Sequence, residues 1–166
     1  MKRTTLCYIE NKGKYLLLYR NRKPGDANKG KWLGIGGKIE EGESPEECNI
    51  REVLEETGLR LKSAYFHGII RFRADEYDDE DMYLFSSSEF EPEDKEASAI
   101  YARTGEYVPP ECSEGELAWI PVDEMMGLPM WEGDRVFLAK ILDGAREISM
   151  TLQYTGEHCE VIQSIG

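Results

Sequence analysis

Glu52, Glu55 and Glu56 stand at i, i+3, i+4 spacing. On an α-helix this gathers three carboxylates within an arc of about 100°. Like charges so placed repel by a few tenths of a kcal/mol per pair. A divalent cation turns that repulsion into a binding site, and an all-oxygen carboxylate set suits Mg²⁺ or Mn²⁺. A cation held this way neutralises the oxygens of a phosphate anhydride and orients a water for in-line attack. A carboxylate can then accept the proton of that water. The same triplet alone also describes a solvated glutamate-rich helix face.

The elements around the triplet favour chemistry. Ser44 can cap a helix, Pro45 suits its first turn, and Glu47 completes a Ser-x-x-Glu capping box. Gly58 suits the left-handed position beyond its end. The spacing predicts a helix over about 44–57, with Ile50, Val53, Leu54 and Thr57 on a core face roughly opposite the carboxylates. Trp32–Gly37 before it is glycine-rich.

The segment Gly37–Leu59 resembles the signature of the Nudix hydrolase family, G-x5-E-x7-R-E-U-x-E-E-x-G-U with U a bulky aliphatic residue. Gly37, Glu43, Arg51, Glu52, Val53, Glu55, Glu56, Gly58 and Leu59 match every fixed position. The resemblance implies an α/β fold, an α/β/α sandwich with a mixed β-sheet and a loop–helix–loop catalytic motif. It implies hydrolysis of a nucleoside diphosphate linked to another group. Glu52 and Glu56 are then the principal metal ligands, Glu55 assists directly or through water, and the Gly36 carbonyl is a further ligand. Arg51 is expected to pair with Glu43 and brace the loop. The general base is Glu52 or a carboxylate from a later loop. Glu114, five residues before Trp119, matches best there, with Glu111 and Glu116 as competitors.

Two further segments, Gly30–Lys38 and Met130–Asp134, resemble the oxidised purine nucleoside triphosphate hydrolases of that family. They make Leu33, Ile35, Gly36, Gly37, Lys38, Trp131 and Asp134 candidate substrate contacts. Trp131 can stack on a purine and Asp134 can accept hydrogen bonds from its edge. The rival roles are a core or interface tryptophan and a helix N-cap. Arg20, after the second strand, can contact phosphate or base, its rival role being a strand-end surface arginine, and Lys38, beside the glycine turn, can meet a phosphate. Two positions depart from the resemblance. Leu33 stands where Asn is frequent and cannot hydrogen-bond a base, and Gly133 stands in place of one of two paired acids.

Hairpin strands are predicted at Thr4–Ile9 and Tyr15–Arg20 around Asn11-Lys12-Gly13, with a loop over Asn21–Lys31. Strands are expected at Ala64–Arg73, Met82–Ser88 and Leu117–Ile120, a helix at Asp134–Leu142, and a closing hairpin from Ile148–Tyr154 and Cys159–Gln163. Asp75–Asp81 reads as a solvated acidic loop and Glu89–Glu114 as irregular. Cys48, Trp32 and Trp119 read as packing residues.

The 166 residues fit one domain, 1–166. The net charge of −13 argues against a nucleic-acid polymer, since no basic stripe exists to displace counterions. A small nucleotide remains a fitting partner if cations stand between the two negative charges. No apolar run reaches membrane-spanning length and the N-terminus does not read as a secretion signal, so a cytoplasmic protein without membrane contact is expected. Cys7, Cys48, Cys112 and Cys159 show neither zinc-site nor disulfide spacing. A monomer and a homodimer are equally compatible. The leading expectation is Mg²⁺- or Mn²⁺-dependent cleavage of a nucleoside triphosphate such as 8-oxo-dGTP to monophosphate and pyrophosphate. ADP-ribose, a dinucleotide polyphosphate, a capped RNA 5′ end, or a non-catalytic nucleotide-sensing role are the alternatives.

Overall fold

The computed structural model describes residues 1–165. β1 (Lys2–Asn11) and β2 (Lys14–Arg20) form the expected hairpin. Lys12 and Gly13 both have positive φ, 52° and 77°, the signature of a tight two-residue turn whose twist matches the strands. The pair stays zipped only from Ile9–Asn11 to Lys14–Leu16. Beyond that the strands part, and the segment β3 (Trp32–Leu33) to Lys38 fills the gap. β3 pairs with Leu18 and Tyr19 of β2, while Ile35 and Lys38 bridge to Cys7 and Thr4 of β1.

The remaining strands extend this frame. β5 (Glu80–Pro92) runs parallel to β1, and β4 (Leu59–Ala74) antiparallel to β5. β7 (Ser149–Thr155) runs parallel to β4 and turns back at Gly156 into β8 (His158–Ile165). β6 (Gly115–Pro121) covers the other edge of β2. The sheet is mixed, as expected.

Alternation along β1 divides the core. Leu6 and Tyr8 join Leu17, Leu84, Leu152, Phe137 and Leu138 beneath helix α4 (Glu132–Leu142). Cys7 and Ile9 join Leu16, Leu18, Ile35, Phe85 and Val53 beneath helix α1 (Pro45–Thr57). One helix on each face of one sheet is the expected α/β/α sandwich. No helix among the described residues is long and apolar enough to cross a membrane.

Four expectations are corrected. First, α1 does not bury Ile50, which is 44% exposed. It buries Cys48, Asn49, Val53 and Thr57. At about 100° per residue, Glu52 and Glu56 lie inside that buried arc, and Ile50 and Leu54 outside it. Glu52 and Glu56 are therefore on the covered side. Second, Glu89–Glu114 is not irregular throughout: β5 runs to Pro92, and α2 (Lys95–Thr104) follows, capped by Asp94 and ended by Gly105. None of the α2 residues is buried, so no apolar stripe announced it. Third, α4 begins two residues before Asp134, after Trp131, so Asp134 is not its N-cap. Fourth, the acidic run is not all loop, because Glu80 and Asp81 belong to β5. A short helix α3 (Val122–Met125) links β6 to the segment before α4.

Candidate active site

The glycine turn is shaped by contact. Cys7 N–H donates to the Ile35 carbonyl at 2.7 Å, and Thr5 N–H to the Gly37 carbonyl at 2.9 Å. The Gly36 carbonyl between them is turned to the other side of the segment. A Cβ on Gly36 would lie 1.8 Å from the Thr5 carbonyl oxygen. One on Gly37 would lie 2.3 Å from the carboxyl carbon of Glu52. The first glycine of the motif thus leaves the space that Glu52, the first glutamate of the triplet, occupies.

The helix arrives in fixed register. Ser44 Oγ accepts from Glu47 N–H at 3.1 Å, and Glu47 accepts from Ser44 N–H at 2.9 Å. Arg51 grips Glu43 with two bonds, 2.7 and 3.0 Å, as expected. That grip holds the Glu43 carboxyl down at about 2. Arg51 also reaches Glu52 at 2.9 Å, Glu55 at 3.2 Å and the Lys38 carbonyl at 3.2 Å, so one side chain ties loop to helix.

Glu52, Glu56 and Glu114 form an electrostatically strained group. Burial pushes the Glu56 carboxyl up to about 9, helped by the charge and hydrogen-bonding proximity of Glu114 and by the charge of Glu52, while Arg20 opposes the shift. Glu56 Oε2 is buried and receives no hydrogen bond. Burial also raises Glu52, against the pull of Arg51, with Glu55 and Glu114 adding to the rise. Glu55 points outward, 59% exposed. Glu114 is held 3.6 Å from Arg20 and 3.9 Å from Lys23. Its competitors Glu111 and Glu116 are exposed.

Among the described residues no three or more His, Cys, Asp and Glu side chains stand close enough together to hold a metal ion by themselves. The fit to a cation rests instead on an undersatisfied, buried carboxylate beside two others. Glu52, Glu56 and Glu114, with the Gly36 carbonyl, would offer only oxygen donors, the kind a hard divalent ion takes. Glu55 is placed to assist only from the solvent side.

A cleft of about 530 Å³ opens beside this group. Arg20, Leu33, Gly36, Gly37, Lys38, Glu114, Trp131 and Asp134 all line it. Ile35 does not: its side chain lies in the α1-side core, and it contributes only its backbone pairing with Cys7. Arg20 is more than a strand-end surface residue. It is largely buried and bonded to Asp26 at 2.8 Å. The Trp131 indole N–H donates to Asn28 at 2.8 Å, its ring meets Tyr154 edge-on at 5.5 Å, and the Lys31 ammonium sits 4.3 Å from the ring centre. Asp134 is 5% exposed, and burial followed by the charge of Glu80 pushes it up to about 7.

Sequence reasoning missed Asp26, Asn28, Glu80 and Tyr154. Asp26 and Asn28 lie in a polar loop, Glu80 in an acidic run, and Tyr154 about 20 residues beyond the nearest motif. Only tertiary pairing brings Asn28, Glu80 and Tyr154 to the cleft and sets Asp26 against Arg20.

Comparison with known proteins agrees with this geometry. The NUDIX domain family matches residues 1–141. An uncharacterized Nudix hydrolase of Bacillus subtilis, YvcI, is 30% identical over 161 residues, covering 95% of this chain and 89% of that protein. An oxidized purine nucleoside triphosphate hydrolase of Danio rerio is 30% identical over 146 residues, covering 87% and 82%. The crystal structure of a mutator MutT protein from Bacillus halodurans superposes with a TM-score of 0.78 at 29% identity, covering 99% of this chain and 97% of that one. The loop–helix–loop on a mixed sheet, and these matches, place the chain in the Nudix hydrolase family. Within it the chain is a MutT-like hydrolase, of a family that acts on small nucleotides and generally uses divalent metal ions.

Proposed function

We propose that the protein hydrolyses purine nucleoside triphosphates, oxidised forms included, to monophosphate and pyrophosphate with Mg²⁺ or Mn²⁺. The observation that carries this reading is the carboxylate group Glu52–Glu56–Glu114, of which Glu114 lines a cleft that Trp131 and Asp134 also line. The bound ion supplies charge neutralisation of the phosphate oxygens and a more acidic water. Glu52, Glu56, Glu114 and the Gly36 carbonyl hold it, Glu55 assists through solvent, and Arg20 and Lys38 contact phosphate. Water adds to one phosphorus, the anhydride bond to the next phosphoryl group breaks, and pyrophosphate leaves. Glu52 or Glu114 accepts the proton of the water. Trp131 and Asp134 hold the base, and Leu33 gives that end an apolar wall. The relative from Danio rerio, named for oxidized purine nucleoside triphosphates, supports the substrate class.

A panel of nucleoside triphosphates, ADP-ribose and a dinucleotide polyphosphate, assayed with and without Mg²⁺ or Mn²⁺, tests the reading. Metal-dependent pyrophosphate release from purine triphosphates is expected. Turnover of ADP-ribose or the dinucleotide in preference to every triphosphate contradicts it.

A further inference from the structure

Gly133 interrupts what would otherwise be an acidic pair beside Trp131, and the structure shows why no side chain stands there. A Cβ at 133 would lie 2.6 Å from the Tyr154 hydroxyl and 2.8 Å from Leu152 Cδ1. The Gly133 N–H donates to that hydroxyl at 2.7 Å. Tyr154 lines the cleft at the place an acid at 133 would approach from. The helix therefore presents a single carboxyl to the cleft, Asp134.

A second carboxyl reaches the same end of the cleft from the sheet. Glu80 opens β5, beside Lys2 of β1 and Phe72 of β4. The alternation that sends Thr4, Met82 and Phe72 to the α4 side sends Glu80 there too, and all four line the cleft. Thr4 Oγ1 donates to Glu80 Oε2 at 2.5 Å, and Lys2 Nζ lies 3.7 Å from Oε1. A carboxylate accepting from a fixed hydroxyl and flanked by an ammonium retains lone pairs only as acceptors. The charge of Glu80 is felt at Asp134, where it adds to the effect of burial.

We infer that Glu80 is a specificity-determining residue: with Asp134 it reads the base edge across the cleft, selecting a purine that presents two adjacent N–H donors, as a guanine-type edge does. The inference rests on the cleft being the nucleotide site. Two carboxyl groups facing one partly dry space repel unless donors stand between them. A ring N–H beside an exocyclic amine places one donor on each. An adenine-type edge sets a ring acceptor against one carboxyl and loses that bond. A site built to hydrogen-bond a donor rejects the analogue lacking it more strongly than an apolar pocket rejects a change of size.

The test compares kcat/KM for dGTP, dITP and dATP in the wild type, Glu80→Gln, Asp134→Asn and the double variant. dITP keeps the ring N–H and lacks the amine. The wild type is expected to prefer dGTP over dATP by at least about tenfold, with dITP between them. Glu80→Gln is expected to lower kcat/KM for dGTP about tenfold more than for dATP, mainly through KM. The two substitutions should be non-additive in the dGTP/dATP ratio, since both act on one edge. Calorimetric binding of dGMP against dAMP should show the same order without turnover. Melting temperatures of the variants separate a folding defect from a lost contact. Equal losses for all three nucleotides, or no loss in Glu80→Gln, contradict the inference. A wild type that is an active but base-blind triphosphate hydrolase contradicts it while leaving the functional reading standing. No hydrolysis of any triphosphate contradicts both.

Discussion

Glu56 shows how a residue fit for chemistry differs from one fit for stability. It sits in the buried arc of α1, among Asn49, Val53 and Thr57, with two other carboxylates as neighbours and an oxygen that nothing donates to. With its carboxyl pushed up to about 9, Glu56 takes up a proton on folding at neutral pH, and Glu56→Gln removes that cost while keeping the shape. In metal-free buffer the variant should melt about 2–4 °C above the wild type, the shift that ~1 kcal/mol produces in a chain of this size. Millimolar Mg²⁺ should stabilise the wild type and leave the variant unmoved. Differential scanning calorimetry with chelator and with metal reads both effects. A second residue-scale prediction concerns Asp134, which Tyr8, Tyr154, Glu80 and Cys159 surround. Its folded pKa of about 7 lies above the unfolded value of 3.8. The folded state therefore binds the proton more tightly. The stabilisation is complete below about pH 4, falls as pH rises to about 7, and is gone above. Thermal midpoints at pH 5 and 8 in chelator should show a drop that is smaller in Asp134→Asn by the share this carboxyl contributes. An identical drop in the two proteins would show that Asp134 does not titrate in that window.

At the scale of elements, the site depends on α1 meeting the glycine turn without a gap. Gly36 touches β1 through the Thr5 carbonyl, and Tyr107 fastens the far end of α1 by donating to the Thr57 carbonyl at 2.6 Å. Gly36→Ala forces a shift of backbone, at a cost of about 1–3 kcal/mol. That should lower Tm by about 2–4 °C per kcal/mol and weaken activity as the Gly36 carbonyl moves. Gly127→Ala is the control. Its Cβ meets nothing closer than Glu124 O at 3.6 Å, so its stability should stay within about 0.5 kcal/mol of wild type. Elements announced by local chemistry were legible in advance: α1 by its capping box and Gly58, the β1–β2 hairpin by Lys12-Gly13. The orientation of α1 was not. Apolar spacing pointed to Ile50 and Leu54 as core, whereas the glycine turn and sheet cover the side holding Glu52 and Glu56. Glu80 was read as part of a solvated loop because nothing local distinguishes an acid on a cleft floor from one in water.

At the scale of the whole molecule, the parting of β1 and β2 makes both the sandwich and the site possible. The inserted segment from Trp32 to Lys38 carries the turn that meets α1 and borders the cleft on the α4 side. The opposed helices thus border one region: α4 lends Asp134 to the cleft, and α1 sets its carboxylates against the glycine turn and Glu114 that line it. The net charge of −13 agrees with a protein whose anionic ligand arrives with cations. Titration of metal-free protein with Mn²⁺, followed by product analysis on a purine triphosphate in the same samples, tests the account most directly. The wild type should bind Mn²⁺ and release monophosphate and pyrophosphate in equal amounts. Glu56→Gln should lose Mn²⁺ affinity and at least about 100-fold in kcat together. Unchanged Mn²⁺ binding and unchanged pyrophosphate release in Glu56→Gln would contradict the account.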